Sequence, residues 1–299
     1  MKILVLSSER AGGYYNDPIH RGFFEAAPTR PVFYGPNERG GPTFNPKRKL
    51  ASVVADVGAD LVLVNMKKRV KDWLDPRALA DLKVKTAMVE VDFCFERKNQ
   101  SWYDACRFDV LFLRHKSDVA ASKHPNTRWL PFSIKPSWIA IPERSERREH
   151  DVGFIGTVTP LANYPGRNRA LAILKGRAGR SKKRIVGEAY MTWWRRCRIG
   201  LTCSCIWKYD NAKHVIIPGA GALLLTDGSA GTSGLLPPEA YVTYKTDGSN
   251  LLEVVRKTLA DPHLLERRRS GAAHVARCHT HATRWSQLLK WVEKTKTKR

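Results

Sequence analysis

Residues 213–227 read K-H-V-I-I-P-G-A-G-A-L-L-L-T-D. Gly219 and Gly221 interrupt a helical approach, and the apolar run Ala222 to Leu225 then ends at Thr226-Asp227. A helix, a glycine corner and a short buried strand suit a sheet whose backbone comes close to a ligand. Downstream lie a proline loop (Pro237-Pro238-Glu239-Ala240-Tyr241) and a predicted helix from Asn250 to Leu259. After Asp261-Pro262 a second helix runs to His279, Thr280, His281 and Arg284.

Working outward, the first half alternates strands and helices. Lys2–Leu6 is an apolar strand followed by Ser-Ser and Ala11-Gly12-Gly13. Further strands are expected at Pro31–Tyr34, Asp60–Val64, Val84–Val91, Asp109–Leu113 and Arg128–Phe132. Helices are expected at Lys49–Val57, Pro76–Leu82 and Ser101–Phe108. Strands separated by short helices imply right-handed crossovers and a parallel sheet. Two prolines and a charge run in residues 135–150 mark a boundary. The expected division is a first domain over 1–137, a linker over 138–150 and a second domain over 151–299. The second domain opens as the first does, with a strand meeting a glycine turn at Asp151 to Thr157. Helix Arg167–Lys175, strand Ile199–Cys203, helix Ala212–Ile217 and strand Leu223–Leu225 follow.

The chain of 299 residues is long enough for two domains with cores of their own. No apolar run approaches the roughly 18 residues of a membrane span. Met1 to Ser8 reads as a buried strand rather than a secretion signal, so an intracellular protein is expected. None of the six cysteines forms C-x-x-C, and reduced thiols are expected. Cys203-Ser204-Cys205 is read as the alternating end of a strand.

Charge is the second clue. Lys and Arg number 52 against 28 acids, a formal net charge of +24. Residues 1–150 hold 26 basic and 18 acidic side chains, and residues 151–299 hold 26 and 10. Such a field implies a polyanionic partner, because neutralising phosphates releases their counterions. An anionic membrane surface would be attracted by the same charge.

The ordered series from Lys213 to Arg284 resembles the C-terminal, donor-binding half of CgeB-like glycosyltransferases, a GT-B group. Their pattern is roughly R-x-F-E-I-P-A-x-G-A-L-L-L-T-D, then G-x-E, a D-P helix and H-T-Y-x-x-R. About 90 residues carry the match. The resemblance implies an α/β chain of GT-B type, two Rossmann-like domains with parallel sheets facing across a cleft. It also implies a nucleotide-sugar as co-substrate, with no further cofactor and no metal. One departure stands out: the family's glutamate falls on Ile216 and its phenylalanine on Val215. That acid holds the donor ribose in the resembling enzymes, and Glu239, at a later acid position, is the candidate for a related role.

In open α/β sheets ligands bind beyond the carboxyl ends of the strands. Donor candidates are Gly12 and Gly13 after the first strand, Gly156 and Thr157 after the strand at 151, and the backbone around Gly219 and Gly221. Lys213 matches the family's cation, which pairs with the donor diphosphate. Arg167, with Arg169, opens a helix where cations oppose the dipole and a bound anion would hold them. Transfer to a hydroxyl is helped by a general base. Asp92 is the first choice, by resemblance, with Glu90 two residues before it on the same strand face and His20 third. Lys67, Lys68, Arg69 and Lys71 are expected to follow a nucleic-acid backbone. Arg195 and Arg196 beside Trp193 and Trp194, like Trp207-Lys208-Tyr209, combine cations with stacking rings.

Together these readings point to a glycosyltransferase acting on the hydroxymethyl group of a modified pyrimidine in DNA, of bacteriophage type. Two alternatives stay open. One is a glycosyltransferase with a cell-envelope or protein acceptor. The other is a non-catalytic nucleic-acid-binding protein on a degenerate GT-B scaffold.

Overall fold

The computed structural model describes residues 1–8, 21–38, 41–66, 70–91, 93, 100–144, 146–156, 158, 164–180, 185 and 187–296. The chain forms two compact units, Met1–Pro131 with His281–Arg299, and Phe132–Thr280.

The first unit holds six strands: β1 (Ile3–Leu6), β2 (Val32–Tyr34), β3 (Leu61–Asn65), β4 (Lys85–Glu90), β5 (Val110–Leu113) and β6 (Thr127–Trp129). They pair in the order β2-β1-β3-β4-β5-β6, and all neighbours are parallel. β1, β3 and β5 are buried along their whole length. Continuous apolar strands of this kind are those a parallel sheet covers on both faces. Leu4, Leu6, Val62, Val64 and Met88 pack with helix Leu50–Val57 on one face. Ile3, Val5, Leu61, Leu63 and Phe112 pack on the other with Phe23, Phe24, Trp285 and Leu288.

The second unit holds β7 (His150–Phe154), β8 (Ala178–Arg180), β9 (Cys197–Thr202), β10 (Leu223–Thr226) and β11 (Tyr241–Thr243). Their order is β11-β10-β9-β7-β8, again parallel. Helices Pro165–Ile173, Lys213–Gly219, Leu251–Leu259 and Leu264–Cys278 lie along the chain between and after these strands.

Two expectations are corrected. Residues 151–299 do not all belong to the second unit, because helix His281–Lys294 is part of the first. The reason is aromatic packing. Trp285 is 1% exposed, stacks on Phe23 with centroids 5.0 Å apart, and donates its indole N–H to the Phe23 carbonyl at 2.5 Å. Nor is 138–150 a free linker. Trp138 is buried, the Ala140 N–H donates to the Gly219 carbonyl at 2.8 Å, and β7 already starts at His150.

The strand predicted to continue to Cys203 stops at Thr202, so Cys203-Ser204-Cys205 is irregular chain beyond it. Both thiols are buried and reduced there. Among the described residues no helix is long and apolar enough to cross a membrane.

The stack on Trp285 sets a test of the fold. Trp285→Ala is expected to cost about 3–5 kcal/mol, as for large aromatic truncations in a core. Urea unfolding followed by circular dichroism measures it, and a cost under about 1 kcal/mol would show that the helix is not part of that core.

Candidate functional site

In the second unit the strand ends divide the predicted donor residues into two groups. Helices that return between parallel strands run back along the sheet. A helix start therefore sits near the carboxyl ends of the strands and its end near the amino ends.

Helix Lys213–Gly219 shows this most clearly. Its start is tied to the carboxyl ends of β9 and β10. The Asn211 side chain accepts the Lys213 N–H at 3.0 Å and donates to the Thr202 hydroxyl at 3.2 Å. His214 is fully buried, 3.2 Å from the Asn211 carbonyl through Nδ1 and 3.4 Å from the Thr226 hydroxyl through Nε2. A carbonyl can only accept, so the proton lies on Nδ1 and Nε2 accepts from Thr226. Burial lowers the His214 pKa to about 4, which keeps this neutral form at pH 7.

Lys213 follows from that anchoring. Its ammonium lies 5.5 Å from the centre of the Phe154 ring, beside Gly156, at the carboxyl end of β7. Burial lowers its pKa to about 8, and repulsion by Arg167 adds to the effect. Arg167 is buried near the start of helix Pro165–Ile173, with its guanidinium 3.8 Å from the centre of the Tyr164 ring. Among the described residues no carboxylate forms an ion pair with Lys213. Gly156, Arg167 and Lys213 are thus gathered at one sheet edge, as expected. Thr157 lies outside the described residues.

Residues that the sequence reading assigned no role stand at the same edge. The Asp227 carboxylate closes β10 and accepts the Ser204 N–H at 2.7 Å, and burial raises its pKa. The Cys203 thiol meets the Tyr244 hydroxyl at 3.1 Å. Burial pushes the thiol up to about 11 and the phenol above its ordinary value, so both stay protonated and form a neutral wall. The signal available in the sequence was position: Cys203, Asp227 and Tyr244 each directly follow a strand.

Gly219, Gly221 and Glu239 belong to the other edge, and the expectation that they approach the donor is corrected. All three precede the strand they lead into. A side chain on Gly219 would lie 2.4 Å from the Ile134 Cδ1 atom. Gly221 has φ +76°, and a side chain there would lie 2.6 Å from the Ala140 carbonyl. These glycines therefore permit close packing and a left-handed turn. Glu239 is exposed before β11 and accepts from the Ser270 hydroxyl at 2.8 Å.

Much of the charge also has internal partners at this edge. Arg267 donates to the Glu239 and Tyr241 carbonyls, Arg268 to the Gly221 carbonyl and Arg269 to the Pro142 carbonyl, at 2.7–3.0 Å. Three successive arginines thus satisfy main-chain acceptors.

In the first unit Glu90 turns inward. It is 1% exposed, and its carboxylate accepts from the Tyr103 hydroxyl at 3.1 Å and the Val91 N–H at 2.8 Å. That burial does not match a base reaching an acceptor. Asp92, His20, Gly12, Gly13, Lys67, Lys68 and Arg69 lie outside the described residues. Lys71 is exposed and pairs with Asp72 at 3.2 Å.

Arg195 pairs with Glu188 at 2.8 Å and also donates to the Trp138 carbonyl, while Arg196 pairs with Glu149. Trp193 and Trp194 are 8% and 0% exposed, which makes them core rather than a stacking surface.

Residues 143–290 match a family model described as glycosyl transferase-like. The chain has the GT-B fold. No curated protein matches it in sequence. Among solved structures it is similar to Anabaena Alr3699/HepE in complex with UDP-glucose, with a TM-score of 0.68 at 13% identity over 98% of this chain and 99% of that one. It is similar to sucrose-phosphate synthase from Thermosynechococcus elongatus, with a TM-score of 0.67 at 12% identity over 98% and 99%. It is also similar to an alpha-glucosyltransferase in complex with UDP and a 13-mer DNA containing a HMU base, with a TM-score of 0.67 at 11% identity over 98% and 100%. At these identities the likeness speaks for the fold.

Two outcomes follow from the division of the edges. Lys213→Met is expected to weaken binding of nucleoside diphosphates by roughly ten-fold or more, the loss of a charged hydrogen bond. Wild-type binding should fall as pH rises through about 8, where the ammonium loses its proton, and the variant should lack that step. Because the folded pKa lies below the unfolded one, the unfolded chain holds more protons between about 8 and 10.5 and stability rises with pH there. Lys213→Met should accordingly raise the melting temperature at pH 7. Isothermal titration and thermal melts across pH check both.

The second outcome concerns packing. Gly219→Ala should lower the melting temperature and leave diphosphate affinity of the folded protein unchanged. A lost affinity at full stability would instead place this glycine at the ligand.

Proposed function

We propose that this chain is a nucleotide-sugar-dependent glycosyltransferase that moves a sugar onto the hydroxymethyl group of a modified pyrimidine in DNA, inside a cell. No cofactor beyond the nucleotide-sugar is part of this reading. The observation that carries it is the half-buried Lys213 at the carboxyl edge of β7. The charged group that acts on it most strongly there is another cation, Arg167, rather than a carboxylate. Two cations held together in a desolvated place disfavour each other, and a diphosphate relieves that repulsion.

In the reaction, the bond between the anomeric carbon and the diphosphate oxygen breaks and the acceptor oxygen forms a new bond to that carbon. Asp92 takes the proton of the acceptor hydroxyl, with His20 the alternative base. Lys213 and Arg167 stabilise the charge that develops on the leaving diphosphate. The modified base leaves the helical stack to reach the site. The +24 net charge and the likeness to an alpha-glucosyltransferase in complex with DNA support the acceptor.

One observation favours a second reading, a nucleic-acid-binding protein on a degenerate scaffold. Ile216 is 1% exposed in helix Lys213–Gly219, so the acid that the resembling enzymes carry there has been replaced by core.

Mass spectrometry of nucleosides separates the two. DNA with hydroxymethylcytosine or hydroxymethyluracil is incubated with the protein and a panel of nucleotide-sugars. A hexose or pentose increment on one base is the expected result. Donor hydrolysis without an increment would remove DNA as the acceptor, and neither product nor hydrolysis would leave the binding protein.

A further inference from the structure

The first unit carries a groove that the donor site does not use. It has a volume of about 450 Å³ and lies where β2 and β3 hand over to their following helices. Its floor is aromatic. Phe44 and Trp73 stand edge to face with centroids 5.2 Å apart, and Tyr34 completes the cluster 5.4 Å from Phe44. Tyr34 is buried, whereas Phe44 and Trp73 remain partly exposed.

The floor is a fixed structure. The Tyr34 hydroxyl donates to the Asn45 carbonyl at 3.0 Å, which holds the loop before helix Leu50–Val57. Trp73 packs over Gly35, where a side chain would come within 2.9 Å of the indole ring. Gly35 has φ +148°, a conformation that favours glycine, and a side chain there would also run into the Ser7 carbonyl.

The rim is cationic and accessible. Lys49 and Arg77 line the groove, Lys47 precedes it, and all three are exposed. Among the described residues none of these three forms an ion pair, whereas Arg48 pairs with Asp56. Two carboxylates also line the groove: Asp75 is turned to the start of helix Pro76–Ala80, where it accepts the Arg77 N–H at 2.9 Å, and Asp81 is exposed just past the end of that helix. Helix Leu50–Val57 starts with no side-chain cap and no acid in its first turn.

We propose that this groove binds an unpaired nucleotide of the DNA acceptor strand, its base stacked on Trp73 and meeting Phe44 edge to face, and its phosphates held by Lys49 and Arg77. Exposed rings beside cations are what a single strand recognises, because every base has a stacking face and every nucleotide a phosphate. The volume admits one nucleoside. This inference rests on the DNA reading of the acceptor.

Binding of the full chain to a short oligothymidylate, and to an abasic strand of equal length, tests it by fluorescence anisotropy. The wild type should prefer the strand with bases by about ten-fold. Trp73→Ala should lose that preference and still bind the abasic strand, and Trp73→Phe should restore part of it, which separates stacking from misfolding. Lys49→Glu with Arg77→Glu should weaken both strands and flatten the dependence on salt. A preference that survives in Trp73→Ala, or one absent from the wild type, would overturn the groove and leave DNA as the acceptor. Failure of the wild type to bind either strand would overturn the groove and the DNA reading together.

Discussion

The buried imidazole of His214 fixes the start of the helix that carries Lys213. The ring donates its one proton from Nδ1 to the Asn211 carbonyl and accepts the Thr226 hydroxyl's proton at Nε2, and desolvation keeps the ring in this neutral form. That neutral bridge joins the start of helix Lys213–Gly219 to the end of β10. The hydroxyl of Thr226 in turn accepts the Gly228 N–H at 3.2 Å, so the turn after the strand is held by the same atom. With the helix start pinned, Lys213 is carried to the carboxyl edge whether or not a ligand is there.

The far end of the same helix is governed by packing. Gly219 and Gly221 allow Ile134 and the 140–142 backbone to close against it. Arg268 reaches the Gly221 carbonyl from helix Leu264–Cys278. A single helix therefore carries two kinds of residue, a half-buried cation at the carboxyl edge and small residues that seal the core at the other end. The first unit uses a related device where the chain leaves it. Arg114 stacks on Phe23 and donates to the Leu130 and Pro131 carbonyls, and Arg284 donates to the same Pro131 oxygen. Burial and the proximity of Arg284 lower the Arg114 pKa to about 9.

Such arginines change what net charge means. A formal +24 suggests a surface made for polyanions. Arg114, Arg267, Arg268, Arg269 and Arg284 instead satisfy carbonyls inside the units. Sequence counts charge without regard to partners. Other cations, among them Lys47, Lys49 and Arg77, are exposed.

Fold class was legible in the chain because parallel sheets need strands that are apolar throughout, and I-L-V-L at Ile3–Leu6, L-V-L-V-N at Leu61–Asn65 and L-L-L-T at Leu223–Thr226 show it directly. The place of Lys213 and Arg167 at the carboxyl edge was legible as well, since helix starts after strands fall there. The sequence by itself thus determined the alternation of strands and helices, the parallel sheets and the cations that serve them. Only the tertiary structure decided which edge each glycine occupies, that Glu90 faces Tyr103, that Trp193 and Trp194 are core, and that the last helix belongs to the first unit. The physical reason is range: periodicity reports local burial, whereas the contacts of Trp285 with Phe23 join residues 262 positions apart, and no local pattern encodes them.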